Sequence, residues 1–237
     1  TLPTPTRSYV VTYNYNRATG NNSTTNATSN YTFNGWYKES SFTNQVSSSS
    51  IYNTVGNSTI YAKWTGTSIV LPTPTKTGYT FSGWYSDSSF TNKVGDGGSS
   101  YTPTSSLTLY AKWTINSYNV IYDYKTNGGT SATKTTATVN YGSSIDLSPT
   151  ATKTGWTFVG WNTNKDATTG LSSLNMSTSN VTLYAIYRKE AVTLTAKFNG
   201  NGATLSSTSN LTCTLPAVYN NASQQASCNV SAPSITR

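Results

Sequence analysis

The stretch YTFNGWY at 31–37 returns as YTFSGWY at 79–85 and as WTFVGWN at 156–162. In an extended strand alternate side chains share a face, and aromatic rings bury the most area per residue. Strict alternation would set Phe33 and Trp36 on opposite sides. A bulge at the intervening Gly35 returns them to one side, and the same argument applies to Phe81, Gly83 and Trp84 and to Phe158, Gly160 and Trp161. The heptapeptide therefore reads as a bulged strand whose Phe and Trp belong to a core.

Downstream of each copy lies a closing run: STIYAKW ending at Trp64, LTLYAKW ending at Trp113 and VTLYAIY ending at Tyr187. Alternation puts Ile60, Ala62 and Trp64, Leu107, Leu109, Ala111 and Trp113, and Val181, Leu183, Ala185 and Tyr187 on the core side. Tyr61, Lys63, Tyr110, Lys112, Tyr184 and Ile186 take the other side. The predicted aromatic core is Phe33, Trp36, Trp64, Phe81, Trp84, Trp113, Phe158 and Trp161. Upstream stands a lead-in, LPTPTR at 2–7 and LPTPTK at 71–76, more loosely SPTATK at 148–153 and APSITR at 232–237. Prolines at alternate positions keep it extended and out of a sheet centre. Thr and Gly do not follow the third residue of LPT, so the lead-in is no sortase signal.

Opening strands alternate as Tyr9, Val11, Tyr13, Tyr15, as Tyr118, Val120, Tyr122, Tyr124, and as Val192, Leu194, Ala196, Phe198. The turn clusters RATGNN, KTNGG and NGNGA follow, and Asn127-Gly128 and Asn199-Gly200 suit hairpins because Asn-Gly tolerates positive φ. A second strand, ATVNYGS at 137–143, completes the hairpin of the third module. Four modules result: 1–65, 66–114, 115–188 and 189–237. The second has no opening strand and is expected to lean on a neighbour, being too short to bury a core alone. The fourth stops before its aromatic strand, and the native protein is expected to extend further.

The run LPTPTKTGYTFSGWY, then a spacer, then LTLYAKW resembles the Listeria-Bacteroides repeat, also called the internalin B-repeat, of bacterial surface proteins. The resemblance covers most of residues 1–188. It implies a mostly β chain of tandem small β-grasp-like modules in an elongated array, extracellular on the bacterial cell surface, acting as a structural stalk or adhesin segment. Binding of glycans or anionic cell-wall polymers is the alternative, and a subunit of a surface filament a second. A host or neighbouring-cell surface and neighbouring modules of the same longer chain are the other expected partners.

Composition agrees with small β modules: 18 Tyr and six Trp stand against one Met, and 9% of residues are charged. No window approaches the roughly 18 apolar residues of a membrane helix, so no membrane insertion is expected in this segment, and no signal peptide is seen. The net charge of +8 reads as solubility or as attraction to a polyanion. No basic run exceeds Arg188-Lys189 and no base-stacking pattern accompanies it, so nucleic acid is not an expected partner.

The chain has no His, which removes a His-based triad and a His-ligated metal. No enzyme, catalytic residue, metal or cofactor is expected. Asp and Glu are scattered, except that Glu39 and Asp87 recur at one spacing after GWY. GDGG at 95–98 reads as a turn. Cys213 and Cys228 have strand-like flanks and read as a disulfide across a hairpin, which implies an oxidising compartment; two separate buried thiols are the other reading. Asn26, Asn57, Asn180 and Asn210 stand in N-x-S/T triplets that composition alone explains. Tyr37, Tyr61, Tyr85 and Tyr110 lie opposite the core, where they serve either cross-strand packing or a sugar-stacking platform.

Overall fold

The structure, a computed structural model, describes residues 2–16, 24–47, 58–131, 135–207, 210–225 and 227–236. The RATGNN turn and Asn57 lie outside the described residues. The chain divides into two compact units, Thr1–Ile115 and Asn116–Arg237. Among the described residues every regular element is a strand, and no helix is long and apolar enough to cross a membrane.

The first unit contains β1 (Arg7–Asn14), β2 (Thr24–Tyr37), β3 (Gln45–Val46), β4 (Tyr61–Gly66), β5 (Ile69–Val70), β6 (Tyr79–Tyr85), β7 (Lys93–Gly95), β8 (Ser100–Tyr101) and β9 (Leu107–Ile115). Its main sheet runs β3-β2-β1-β9-β6-β7, with β4 also on β2, and β5 pairs with β8 separately. Strand β2 is long because it has two partners in succession. Its first half pairs antiparallel with β1, from Asn14↔Thr24 to Arg7↔Tyr31, and its second half, the aromatic heptapeptide, pairs with β4. Strand β9 runs antiparallel to β6 and parallel to β1, with Val11 opposite Leu107 and Tyr13 opposite Leu109. The opening strand at 9–15 thus serves the closing strand of 66–114. One sheet crosses position 65, and the short copy leans on a strand carried inside the copy before it.

The second unit contains β10 (Ser117–Asp123), β11 (Thr135–Asn140), β12 (Thr157–Asn162), β13 (Val181–Lys189), β14 (Val192–Ala196), β15 (Thr204–Leu205), β16 (Leu211–Leu215), β17 (Val218–Tyr219) and β18 (Ile235–Thr236). Its main sheet has the order β11-β10-β13-β12, with β17 added on β13. Here the same pattern is built from consecutive chain: β10 and β13 are parallel, Val120 opposite Val181 and Tyr122 opposite Leu183. Two small sheets, β14-β16 and β15-β18, follow.

The glycine bulges occur where the residue pattern requires them. Register shifts between Phe33 and Trp36, Phe81 and Gly83, and Phe158 and Gly160, and Gly83 and Gly160 have φ of 117° and 144°. A Cβ on Gly160 would stand 2.9 Å from the Cα of Gly170, so space as well as backbone conformation demands glycine.

Each unit packs around one fully buried indole. Trp84 lies with Val11, Tyr13, Tyr15, Leu71, Leu109 and Ala111, and half-buried Phe81 and Trp113 pack against that cluster. Trp161 lies with Val120, Tyr122, Ile145, Met176, Leu183 and Tyr187, and half-buried Phe158 packs against them. Phe33, Trp36 and Trp64 form a third aromatic trio, half-buried, with ring centroids 5.4 to 5.5 Å apart. The difference is the opening strand. Tyr13 and Tyr15 stand 5.0 and 5.4 Å from Trp84, and Tyr122 and Tyr124 stand 5.2 and 5.0 Å from Trp161, whereas β4 pairs only with β2 among the described residues.

One alternation expectation is corrected. Ile186, predicted for the face away from the core, is fully buried, as are Ala185 and Tyr187 beside it. Strand β17 pairs with Arg188 and Lys189, and Asn220 donates its backbone N–H to Tyr187 O while its side-chain Oδ1 accepts from Tyr187 N. The fourth module thereby packs on β13, a contact that periodicity within the third cannot reveal.

Candidate functional site

Every copy closes its lead-in on its strand pair with the same two devices. The indole N–H of Trp36 donates to Pro3 O at 2.9 Å, that of Trp84 to Pro72 O at 2.7 Å and that of Trp161 to Pro149 O at 2.6 Å. A proline-rich segment cannot take a ladder position, which leaves its carbonyls for such side-chain donors. The basic residue ending the lead-in then covers at least two rings. Arg7 lies 4.9 Å from Tyr31 and 5.9 Å from Trp64, Lys76 lies 4.3 Å from Tyr79 and 5.9 Å from Trp113, and Lys153 lies 3.8 Å from Trp156 and 5.7 Å from Tyr187. Contacts of this kind contribute about 0.5 to 1 kcal/mol when exposed and about 2 when desolvated.

The third copy elaborates the device. Lys153 Nζ donates to the backbone carbonyls of Asn127 and Asn220 and to Asn221 Oδ1, and burial pushes its pKa down. Buried Asn127 donates from Nδ2 to Ala185 O and Lys165 O, both at 2.9 Å, and Asn16 makes the matching contact to Ala111 O at 2.8 Å in the first unit. These asparagines hold the closing strand at its Tyr-Ala step. In the sequence Asn127 reads only as a turn former, and Asn16 carries no mark of this role.

The four candidate ligand-facing tyrosines fall into two matched faces. Tyr37 is the cross-strand partner of Tyr61, and Tyr85 of Tyr110. Tyr61 is 40% exposed and the other three are half-buried. Each face holds a lysine and a phenylalanine as well. Lys63 stands 5.3 Å from Tyr37 and 5.9 Å from Phe42, Lys112 stands 5.0 Å from Tyr85 and 5.8 Å from Phe90, and the rings meet edge to face at 5.5 and 5.7 Å. Phe42 and Phe90 have φ of 54° and 58°, a conformation bulky residues rarely adopt. A carboxylate holds each loop in that shape. Asp87 accepts from Thr91 N at 3.0 Å, Asn92 N at 2.7 Å and Ser89 Oγ, and Glu39 accepts from Asn44 N at 2.7 Å, Asn44 Nδ2 at 2.7 Å and Thr43 Oγ1. These hydrogen bonds lower both acids' pKa values, that of Asp87 far below the usual carboxylate range. The identical SSFTN at 40–44 and 88–92 was the signal for these phenylalanines.

The third copy has no such face. Asn162 stands in the tyrosine position and binds its own loop, accepting from Asn164 N and donating to Thr169 O, both at 2.9 Å, and Ile186 replaces the lysine. The turn at 95–98 is pinned by Gly98 N donating to Leu71 O at 2.7 Å, and its Asp96 pairs with Lys93 at 2.6 Å. No group of three metal-ligating residues occurs among the described residues. Asn26, Asn180 and Asn210 are exposed, and Asn180 Oδ1 accepts from Asn119 N at 2.8 Å.

Cys213 and Cys228 are bonded to each other. Their flanks do not pair with one another as expected: Cys213 lies on β16, whose partner is β14, and Cys228 lies outside the strands. The bond ties the hairpin to the segment ahead of Pro233.

Proteins of known sequence share this pattern. Internalin H of Listeria monocytogenes is 35% identical over 112 residues, which are 42% of this chain and 19% of that protein. A putative Gly-rich membrane protein of Evansella cellulosilytica is 34% identical over 99 residues, 39% of this chain and 11% of its own length. The chain thus spans less than a fifth of either relative. The Listeria-Bacteroides repeat domain matches three times, over residues 4–63, 65–112 and 118–186, and the chain belongs to that family.

Proposed function

We propose that this chain is a spacer segment of a bacterial surface protein, built of grasp-like modules that hold other parts of the polypeptide away from the cell. The observation that carries it is where the repeated side chains are used. The features found in all three copies, the indole-to-proline hydrogen bond and the cation over two rings, close each module on itself. The order β11-β10-β13-β12 with a parallel central pair supports the grasp-like reading. The internalin among the relatives supports a surface location.

A second reading rests on the two Tyr-Phe-Lys faces, where an exposed Tyr61 beside Lys63 offers a ring and a cation to an acidic glycan. Retention on immobilised anionic wall polymer and on neutral glycans separates the two. A spacer is retained on neither. An electrostatic binder is retained where the Debye length is about 30 Å, at 0.01 M salt, and released where it is about 8 Å, at physiological strength. Neutral-glycan retention lost on Tyr61→Ala and Tyr110→Ala would replace the spacer reading with a lectin.

A further inference from the structure

We propose that the hairpin of β14 and β16 is a preformed acceptor for the aromatic and closing strands of one further repeat. The three hairpins share one register. Tyr9, Val11 and Tyr13 oppose Ser29, Ala27 and Thr25; Tyr118, Val120 and Tyr122 oppose Val139, Ala137 and Thr135; Val192, Leu194 and Ala196 oppose Leu215, Cys213 and Leu211. In the first two a parallel closing strand covers the opening strand's other edge, and Val11 and Val120 are 0% exposed. Leu194, in the same position, is 41% exposed, and Val192 is 42% exposed. Strand β14 has only β16 as a partner among the described residues.

The rest of the acceptor is already in place. Thr204 pairs with Thr236 as Thr130 N–H bonds Thr152 O at 2.9 Å, so residues 232–236 occupy the lead-in position. Ile235 is 60% exposed where its counterpart Ala151 is 5% exposed. Pro233 stands where Pro149 accepts the indole of Trp161, Phe198 where Tyr124 flanks that ring, and Asn201 where Asn127 holds Ala185 O. The occupant is therefore a strand pair of the pattern aromatic-Thr-Phe-x-Gly-Trp and apolar-x-Leu-Tyr-Ala-x-aromatic. Its closing strand lies parallel to β14, the first apolar residue opposite Leu194 and the Leu opposite Ala196. A second chain's β4 is a poorer occupant, because its Trp36 already donates to Pro3 O and its own lead-in would need the place that 232–236 hold. Strand addition to an open edge derives its affinity from main-chain bonds and its choice of partner from alternate side chains. The inference stands apart from the spacer reading.

The test appends a copy of residues 154–189 to the full chain after Arg237. Amides of β14 without a partner in β16 should then exchange about a hundredfold more slowly, and emission of the added tryptophans should shift to the blue. Leu194→Lys in the extended chain should abolish both changes and leave β1 to β13 protected. A second variant, alanine for the Trp of the appended GW, should do the same without touching β14. Unchanged exchange in β14, or protection that survives Leu194→Lys, would overturn the proposal. So would sedimentation showing that the unextended chain already self-associates through this edge, which would make a second copy the occupant.

Discussion

The three GW tryptophans share a sequence motif and a hydrogen bond to a proline carbonyl, yet differ in burial, and stability should follow burial. Trp84→Ala should cost its unit roughly 3 to 5 kcal/mol, as truncation of a fully buried large ring does, and Trp36→Ala less than about half of that; chemical denaturation of each variant measures both. Tyr13 and Tyr122 make a second matched pair. Tyr122 donates its hydroxyl to Asp146 O at 2.6 Å, whereas the buried Tyr13 hydroxyl has no partner among the described residues. Tyr122→Phe should therefore cost about 1 kcal/mol, and Tyr13→Phe should be neutral or stabilising. Burial also pushes the Tyr187 phenol up from 10.0 to about 12. An acid whose folded pKa is raised is favoured by the fold in its neutral form, so the stability it contributes is full below pH 10.0 and is lost as pH rises toward about 12. An alkaline titration followed at the tyrosinate absorption band should show its ionisation coinciding with unfolding of the second unit.

At the scale of strands and turns, much was legible because local chemistry fixes it. Alternation located the closing strands, and the Phe-x-Gly-Trp spacing gave the bulge, since a glycine between two core residues has few other uses. Ile186 was not legible, because the strand end beside it pairs with β17 and Asn220, whose sequence carries no mark of where they pack. Phe42 and Phe90 were missed for a related reason: their positive φ is stabilised by carboxylates three residues earlier, and composition shows only a polar loop. The disulfide was legible as a pairing and not as a geometry. Replacing Cys213 and Cys228 together by Ser should cost about 3 kcal/mol of local stability on the chain-entropy estimate for a loop of this size. Hydrogen exchange should place the loss in β14, β16 and β18, with β1 to β9 unchanged.

At the scale of the whole chain, the unit of folding differs from the unit of repetition. Copies are recognised by their aromatic and closing strands, but a buried indole needs an opening strand, and the opening strand of 66–114 lies at 7–14. The missing strand of this copy was legible in its sequence. Which strand is borrowed was not, because parallel pairing across so many residues leaves no local signature. A fragment of residues 66–114 should be unfolded by circular dichroism and amide dispersion, and one of residues 1–115 should melt cooperatively. A folded 66–114 fragment would show that the short copy needs no borrowed strand.

The nested wiring of the first unit also bears on how the gene can change. LPTPT occurs at 2–6 and again at 71–75, and identical stretches are where unequal crossing-over deletes one repeat from an array. A deletion between these two would leave an uninterrupted LPTPTKTGYTFSGWY, faithful to the motif in every residue. It would also remove β1, and with it Tyr13 and Tyr15 from around Trp84. Loss of one repeat by this route removes the core of the repeat that remains, so selection should keep this pair of copies together, inherited and duplicated as one piece.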